Sequence, residues 1–117
     1  MSHTMNIKLN LTDNEALKKA CTRLSITQDV GRFNLFGSVE EGTAVRLDGW
    51  RYPVVVKADG SVAYDNYNGR WGDIEKLHEL EATYGFEKAK SESILKGYLT
   101  QEIEEGDEII LKVMVGD

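Results

Sequence analysis

Apolar residues recur along this chain with two different periods. From Asn6 to Leu11 they alternate, Ile7-Lys8-Leu9-Asn10-Leu11, which is the period of a half-buried strand with Ile7, Leu9 and Leu11 inward. Thr12 ends that run and Glu15 follows three residues later, a capping box that satisfies first-turn N–H groups. The period then changes. Ala16, Leu17, Ala20, Cys21 and Leu24 form one stripe of a helix reaching about Leu24, while Lys18, Lys19 and Arg23 face water. Residues 25–31 read as a connector ending at Gly31. Phe33 and Leu35 alternate with Arg32 and Asn34 in a short strand, and Gly37 to Gly42 read as a loop. Thr43 to Leu47 predicts a strand with Val45 and Leu47 on one face and Ala44 and Arg46 on the other. Asp48-Gly49 marks a tight turn. Val54-Val55-Val56-Lys57 is the most β-prone run, and Ala58 to Ser61 turns it into Val62-Ala63-Tyr64-Asp65. Residues 32–65 therefore read as an antiparallel meander.

Helical spacing returns at Ile74, Leu77, Leu80 and Tyr84, with Asp73 as N-cap. Gly85 interrupts that spacing as a break or a kink. Phe86, Ala89 and Ser93 carry it on to about Lys96, with Gly97 as the stop. Tyr98 to Ile103 and Glu108 to Val115 read as two strands joined by Glu104-Glu105-Gly106-Asp107. Ile109, Leu111, Val113 and Val115 share one face of the second. The order is β-α-β-β-β-β-α-β-β. Two helices that each carry one apolar stripe need a sheet to cover. The expected fold is α+β, a single domain over residues 1–117, with one mainly antiparallel sheet and both helices on one face. The other face is expected to be solvated or covered by a partner subunit.

Between the last strand of the meander and the second helix lies Tyr64-Asp65-Asn66-Tyr67-Asn68-Gly69-Arg70-Trp71-Gly72-Asp73. Asn68-Gly69 is a turn signal, because both residues tolerate positive φ. Aromatic, Asn and Arg groups crowded on a loop suit a recognition surface. They equally suit a packed corner whose rings fill the core.

Composition narrows the class. At 117 residues, with 41% hydrophobic and 29% charged residues, the chain is an ordinary globular domain. No apolar run approaches the roughly 20 residues of a membrane span, and the N-terminus lacks a signal-peptide pattern. Cys21 is the only cysteine, so there is no internal disulfide and a cytoplasmic setting is expected. On its apolar stripe it reads as a buried thiol. The net charge of −6 is uneven. Residues 1–57 hold eight Lys/Arg against six Asp/Glu, a net of +2; residues 58–117 hold six against fourteen, a net of −8. An acidic chain without a basic run is a poor binder of nucleic acid, which requires phosphate neutralisation.

No catalytic pattern stands out. GxGxxG and Walker loops are absent, as are His-Glu-x-x-His and Cys-x-x-Cys spacings. His3 and His78 are far apart and read as surface residues. Glu102, Glu104, Glu105, Asp107 and Glu108 crowd one hairpin, which reads as a solvated acidic turn before a cation site. Ser91 and Ser93 have no nucleophile context. The suggestive set is basic and aromatic. Arg32 and Arg46 alternate with core-facing residues and are expected on the uncovered sheet face, where Lys57 and Arg51 join them. Tyr67, Asn68, Arg70 and Trp71 come from the loop. Guanidinium groups beside aromatic rings suit a phosphate-bearing or planar anion. The bland alternative is a solvated face with scattered basic side chains.

Three features resemble a family of small uncharacterised proteins, a conserved reading frame of red-algal plastids and cyanobacteria that also occurs in other bacteria and phages (domain of unknown function twelve-fifty-seven). They are the opening Met1-Ser2-His3 with a strand and Leu11-Thr12-Asp13-Asn14-Glu15-Ala16-Leu17-Lys18-Lys19-Ala20, the middle Val45-Arg46-Leu47-Asp48-Gly49 before a Val-rich strand, and Tyr64 to Asp73. The resemblance spans nearly the whole chain and is most distinctive in the last of these. It implies that Met1-Ser2-His3 is native sequence. It carries over no catalytic residue. Members resemble accessory proteins and are often encoded near an AAA-type ATPase, which implies partner binding; a phage member would suit counter-defence.

The first functional reading is a non-enzymatic binding or accessory protein acting through an open sheet face or by self-association, with a protein partner or further copies of itself. The second is a phage-type sponge for a nucleotide-like anionic signalling molecule, held by Arg32, Arg46, Arg70 and Trp71. The third is an enzyme with an unrecognised site. No cofactor is implied.

Overall fold

The computed structural model describes residues 4–115, so the Met1-Ser2-His3 feature and His3 lie outside the described residues. The elements are β1 (Met5–Lys8), α1 (Asn14–Leu24), β2 (Gln28–Leu35), β3 (Ser38–Val45), β4 (Val54–Val56), β5 (Ser61–Tyr64), α2 (Ile74–Leu95), β6 (Leu99–Glu105) and β7 (Glu108–Met114). One 3₁₀ turn, Tyr67–Gly69, separates β5 from α2. All pairing is antiparallel. Five strands form a sheet in the order β1-β5-β4-β3-β2, and β6 and β7 pair only with each other. The fold is α+β with the expected order of elements, but the last two strands form their own ribbon instead of joining one sheet.

Both helices cover one face of the five-stranded sheet. Leu17, Ala20 and Cys21 of α1 and Leu77, Leu80 and Tyr84 of α2 pack on Val45, Val54, Val56, Val62 and Tyr64. The alternation of Val54 and Val56 against Val55 divides β4 between this core and a second one. Asp13 caps α1: its carboxylate accepts from the Glu15 and Ala16 N–H groups, each at 3.1 Å. The Thr12 capping box therefore does not form; the helix begins one residue later than that box requires, and the Asp13 carboxylate takes both amides. Ser25, left-handed at φ 57°, closes the helix. Helix α2 runs unbroken through Gly85, since one exposed glycine costs only about 1 kcal/mol in a helix of 22 residues.

The second face of the sheet is not open. β2 and β3 are longer than their alternation implied, and residues 28–31 and 38–42 are strand, not connector and loop. They pair in continuous register from Gln28–Val45 to Leu35–Ser38, whereas β4 pairs with β3 only at residues 43–45. The overhanging ribbon bends where Gly31 faces Gly42 and curls across the second face. Leu35, with Phe33 and Tyr52, closes over Val55 and Ala63, both fully buried. The tip reaches the far edge of the sheet, where Thr4 Oγ1 and Ser38 Oγ are 2.8 Å apart. Lys57 Nζ binds Asn6 at 2.9 Å and lies 3.5 Å from Glu40, tying the ribbon to β1. Hence the expected solvated or partner-covered face is covered by the chain itself. The physical reason is Gly42, which lets β3 pass against the Val56 carbonyl with no Cβ between them.

The other end of the molecule is drawn out. The extents are 57 × 30 × 21 Å, and the radius of gyration, 15.6 Å, exceeds the roughly 13 Å of a compact chain this long. The second half of α2 and the β6–β7 ribbon make this extension. Four charged groups bind the ribbon to the body. Arg23 Nε donates to Glu87 Oε1 at 2.8 Å, Arg23 Nη2 donates to Glu102 Oε1 at 2.9 Å, and Lys90 Nζ donates to the same Glu102 oxygen at 2.7 Å. The Arg23 guanidinium also lies 5.0 Å from the centre of the Phe86 ring. The hydrogen bond from Lys90, and after it that from Arg23, hold the Glu102 carboxyl below the usual glutamate range. A depressed folded-state pKa gives stability that is present above the ordinary value of about 4.3 and is lost as pH falls through the lowered one. The expected result is that amides of β6 and β7 lose exchange protection, after correction for intrinsic rates, as pH falls below about 4, before those of β4 and β5. Equal loss in both sheets would show that Glu102 does not secure the ribbon.

Candidate recognition site

The loop from Tyr64 to Asp73 is held by its own backbone. Asp65, buried, accepts the Tyr67 N–H at 3.1 Å. Asn66 O accepts from Gly69 and Trp71 at 3.0 and 2.9 Å, and Asn66 Nδ2 donates to Gly72 O at 3.3 Å. Tyr67 and Asn68 are both left-handed, at φ 46° and 53°. Asn tolerates that conformation, whereas Tyr carries about 1–2 kcal/mol of strain in it. The segment 50–52 fixes the far end of the loop. Arg51 N donates to Trp71 O at 2.8 Å, and Trp50 Nε1 donates to Asp73 O at 3.0 Å. A Cβ on Gly72 would run into the Trp50 indole, so only glycine lets that ring close down. Asp73 then caps α2 through the Glu75 N–H at 3.0 Å.

This framework presents Trp71 at the centre of an aromatic platform. Tyr67, Phe36 and Tyr52 meet it edge to face, with ring centres at 4.7, 5.3 and 5.6 Å. Such pairs add about 0.5–1.5 kcal/mol each beyond area burial. Two guanidiniums lie over the rings. Arg51 is 5.0 Å from the centre of Trp71 and 5.7 Å from that of Tyr52, and Arg70 is 4.9 Å from that of Tyr67. Phe36, at the tip of the curled ribbon, is 41% exposed; Arg51 and Arg70 are exposed as well.

Four of the six residues singled out in the sequence, Tyr67, Asn68, Arg70 and Trp71, lie in this loop. Asn68 serves the turn, and the other three join the platform. Arg32 and Arg46 do not. Arg32 faces Glu41 on the edge strand, and its register puts it on the side of Val45, the helix side of the sheet. Arg46, just past β3, lines a hollow with Ser25, Asp48, Lys76 and Glu79. Their expected place on an uncovered sheet face is thus corrected: alternation gives parity along a strand, not which side stays open. Phe36 and Tyr52 were missed as site residues. Phe36 beside Gly37 could have been noticed as an exposed aromatic at a hairpin tip; Tyr52 has no local signal.

Among the described residues no three His, Cys, Asp or Glu side chains are placed to hold a metal ion. Glu102 of the acidic hairpin is taken up by Arg23 and Lys90. His78 lies 3.4 Å from Glu75 on an exposed helix surface. Among the described residues no helix is long and apolar enough to cross a membrane. No family profile, curated protein or solved structure matches the chain.

Proposed function

We propose that this protein is a non-enzymatic binding module of the cytoplasm whose recognition surface is the arginine-capped platform around Trp71. Its ligand carries a planar anionic group, as a nucleotide does. The observation that carries this reading is the pair of exposed guanidiniums stacked on a rigid aromatic set. Arg side chains held against rings keep their N–H groups in fixed planes, which lowers the entropy cost of bidentate phosphate binding. The rings supply stacking area for a base. The strain at Tyr67 is consistent with a conformation kept for recognition.

Thermal denaturation in the presence of mono- and dinucleotides tests the proposal. A true ligand at about a hundredfold its Kd should add about 2.7 kcal/mol of stability. The Arg51→Ala/Arg70→Ala variant should lose that gain and keep its unliganded stability within about 1 kcal/mol, since both groups are at the surface. No stabilisation by any nucleotide would sink the reading. A second reading, self-association, is favoured by the apolar residues exposed on the β6–β7 ribbon.

A further inference from the structure

We infer that two copies of this chain pair through the outer edge of β7, antiparallel and centred on Ile110, to make one four-stranded sheet. Three features of the ribbon lead there. A lone two-stranded ribbon is marginal in water, yet Leu99, Ile103, Ile109, Ile110, Val113 and Met114 are all left exposed on it. The edge of β7 makes no backbone hydrogen bond outside the ribbon among the described residues. Finally, its charges are self-complementary in one register only.

The turn sets the phase. Gly106 at φ 62° and Asp107 form a two-residue turn, so Glu105 and Glu108 are a hydrogen-bonded pair. The N–H and C=O groups of Ile109, Leu111 and Val113 then point away from β6. Pairing centred on Ile110 sets Ile109 against Leu111 of the second copy, with these outward groups bonding each other. It also sets Glu108 against Lys112 of the second copy, twice by symmetry. Centring on Leu111 keeps the phase but faces Lys112 with an isoleucine and Glu108 with a methionine. The edge of β6 offers Glu102, Glu104 and Glu105 with no cation, so like charges would meet. Across the favoured sheet, Ile103 and Ile110, already paired in one copy, continue into Ile110 and Ile103 of the other as one apolar row. Lys112 is the only cation on either strand, the residue type that ordinarily guards an edge. Here it selects the register.

The test is sedimentation equilibrium on the full chain over a concentration series. The wild-type protein is expected to be dimeric. Lys112→Glu sets Glu108 against a carboxylate at both ends and should weaken association at least about tenfold. Glu108→Lys should do the same through paired lysines. Mixing the two single variants restores both opposite-charge contacts, and a heterodimer of near wild-type affinity should form. That recovery separates a lost contact from a misfolded ribbon. A wild-type protein that stays monomeric overturns the inference, as does a dimer indifferent to both substitutions or a mixture that fails to recover.

Discussion

Replacing Arg23 with methionine is expected to cost about 2–3 kcal/mol, a large share of the 5–15 kcal/mol by which such domains are stable. The reason lies in Glu87. Its side chain is only 7% exposed, and Arg23 Nε and Nη2 meet the same oxygen, Oε1, at 2.8 and 2.7 Å. Burying a lone carboxylate is costly, so removing the guanidinium harms more than the pair itself stabilises. A fully enclosed pair would cost about 3–5 kcal/mol to break; the 27% exposure of Arg23 lets water reach the site and lowers the figure. The substitution also strips Glu102 of one of its two cations, although Lys90 remains. Arg23→Met/Glu87→Leu should recover most of the loss, because an apolar pair of similar size leaves no unpaired charge. Urea midpoints of the single and double variants decide the matter. A double variant no more stable than the single would show that the guanidinium acts through packing on Phe86, not through the carboxylate.

Gly42→Ala is expected to cost about 3 kcal/mol or more. The added methyl would run into the Val56 carbonyl oxygen, with Val56 C and Lys57 Cα at 3.0 and 3.1 Å. These are backbone atoms of a central strand, so no rotamer change relieves the clash. The ribbon must lift, and Leu35, Val55 and Ala63 would lose their mutual cover. Gly31→Ala, directly opposite, should be milder, because its methyl would meet only the Phe33 ring at 3.5 Å. The two glycines share nearly the same φ, so the difference between the variants isolates the clash. For a chain of this size the Gly42 variant should melt about 10 °C lower. Equal melting temperatures for the two would mean that the ribbon gives way easily and its bend is not tightly specified.

Both helices were legible in the sequence because their evidence is local: Ala16 to Leu24 and Ile74 to Tyr84 repeat at helical spacing within one element. The length of β2 and β3 was not. Gly31 and Gly42 look like loop residues, and only the partner strand opposite each one makes them strand. A period-two pattern also could not tell that the ribbon would fold back over Val55 and Ala63. The site divides along the same line. Tyr67, Arg70 and Trp71 lie on one short loop and could be read together. Phe36 and Tyr52 arrive from other parts of the chain, and the curl of the ribbon brings Phe36 to Trp71. Arg32 and Arg46 were misplaced by reasoning that knew the parity of a strand but not its cover.

Cys21 sits under α1 at 2% exposure, and burial raises its thiol pKa, so it is both shielded and largely protonated. As the only sulfhydryl in the chain, it acts as a built-in clock. An alkylating reagent can reach it only in the moments when the helix leaves the sheet. With reagent in enough excess that alkylation outpaces reclosing, the labelling rate counts those openings one by one; at lower concentrations it reports the fraction of time spent open, in either case without a probe having to be introduced.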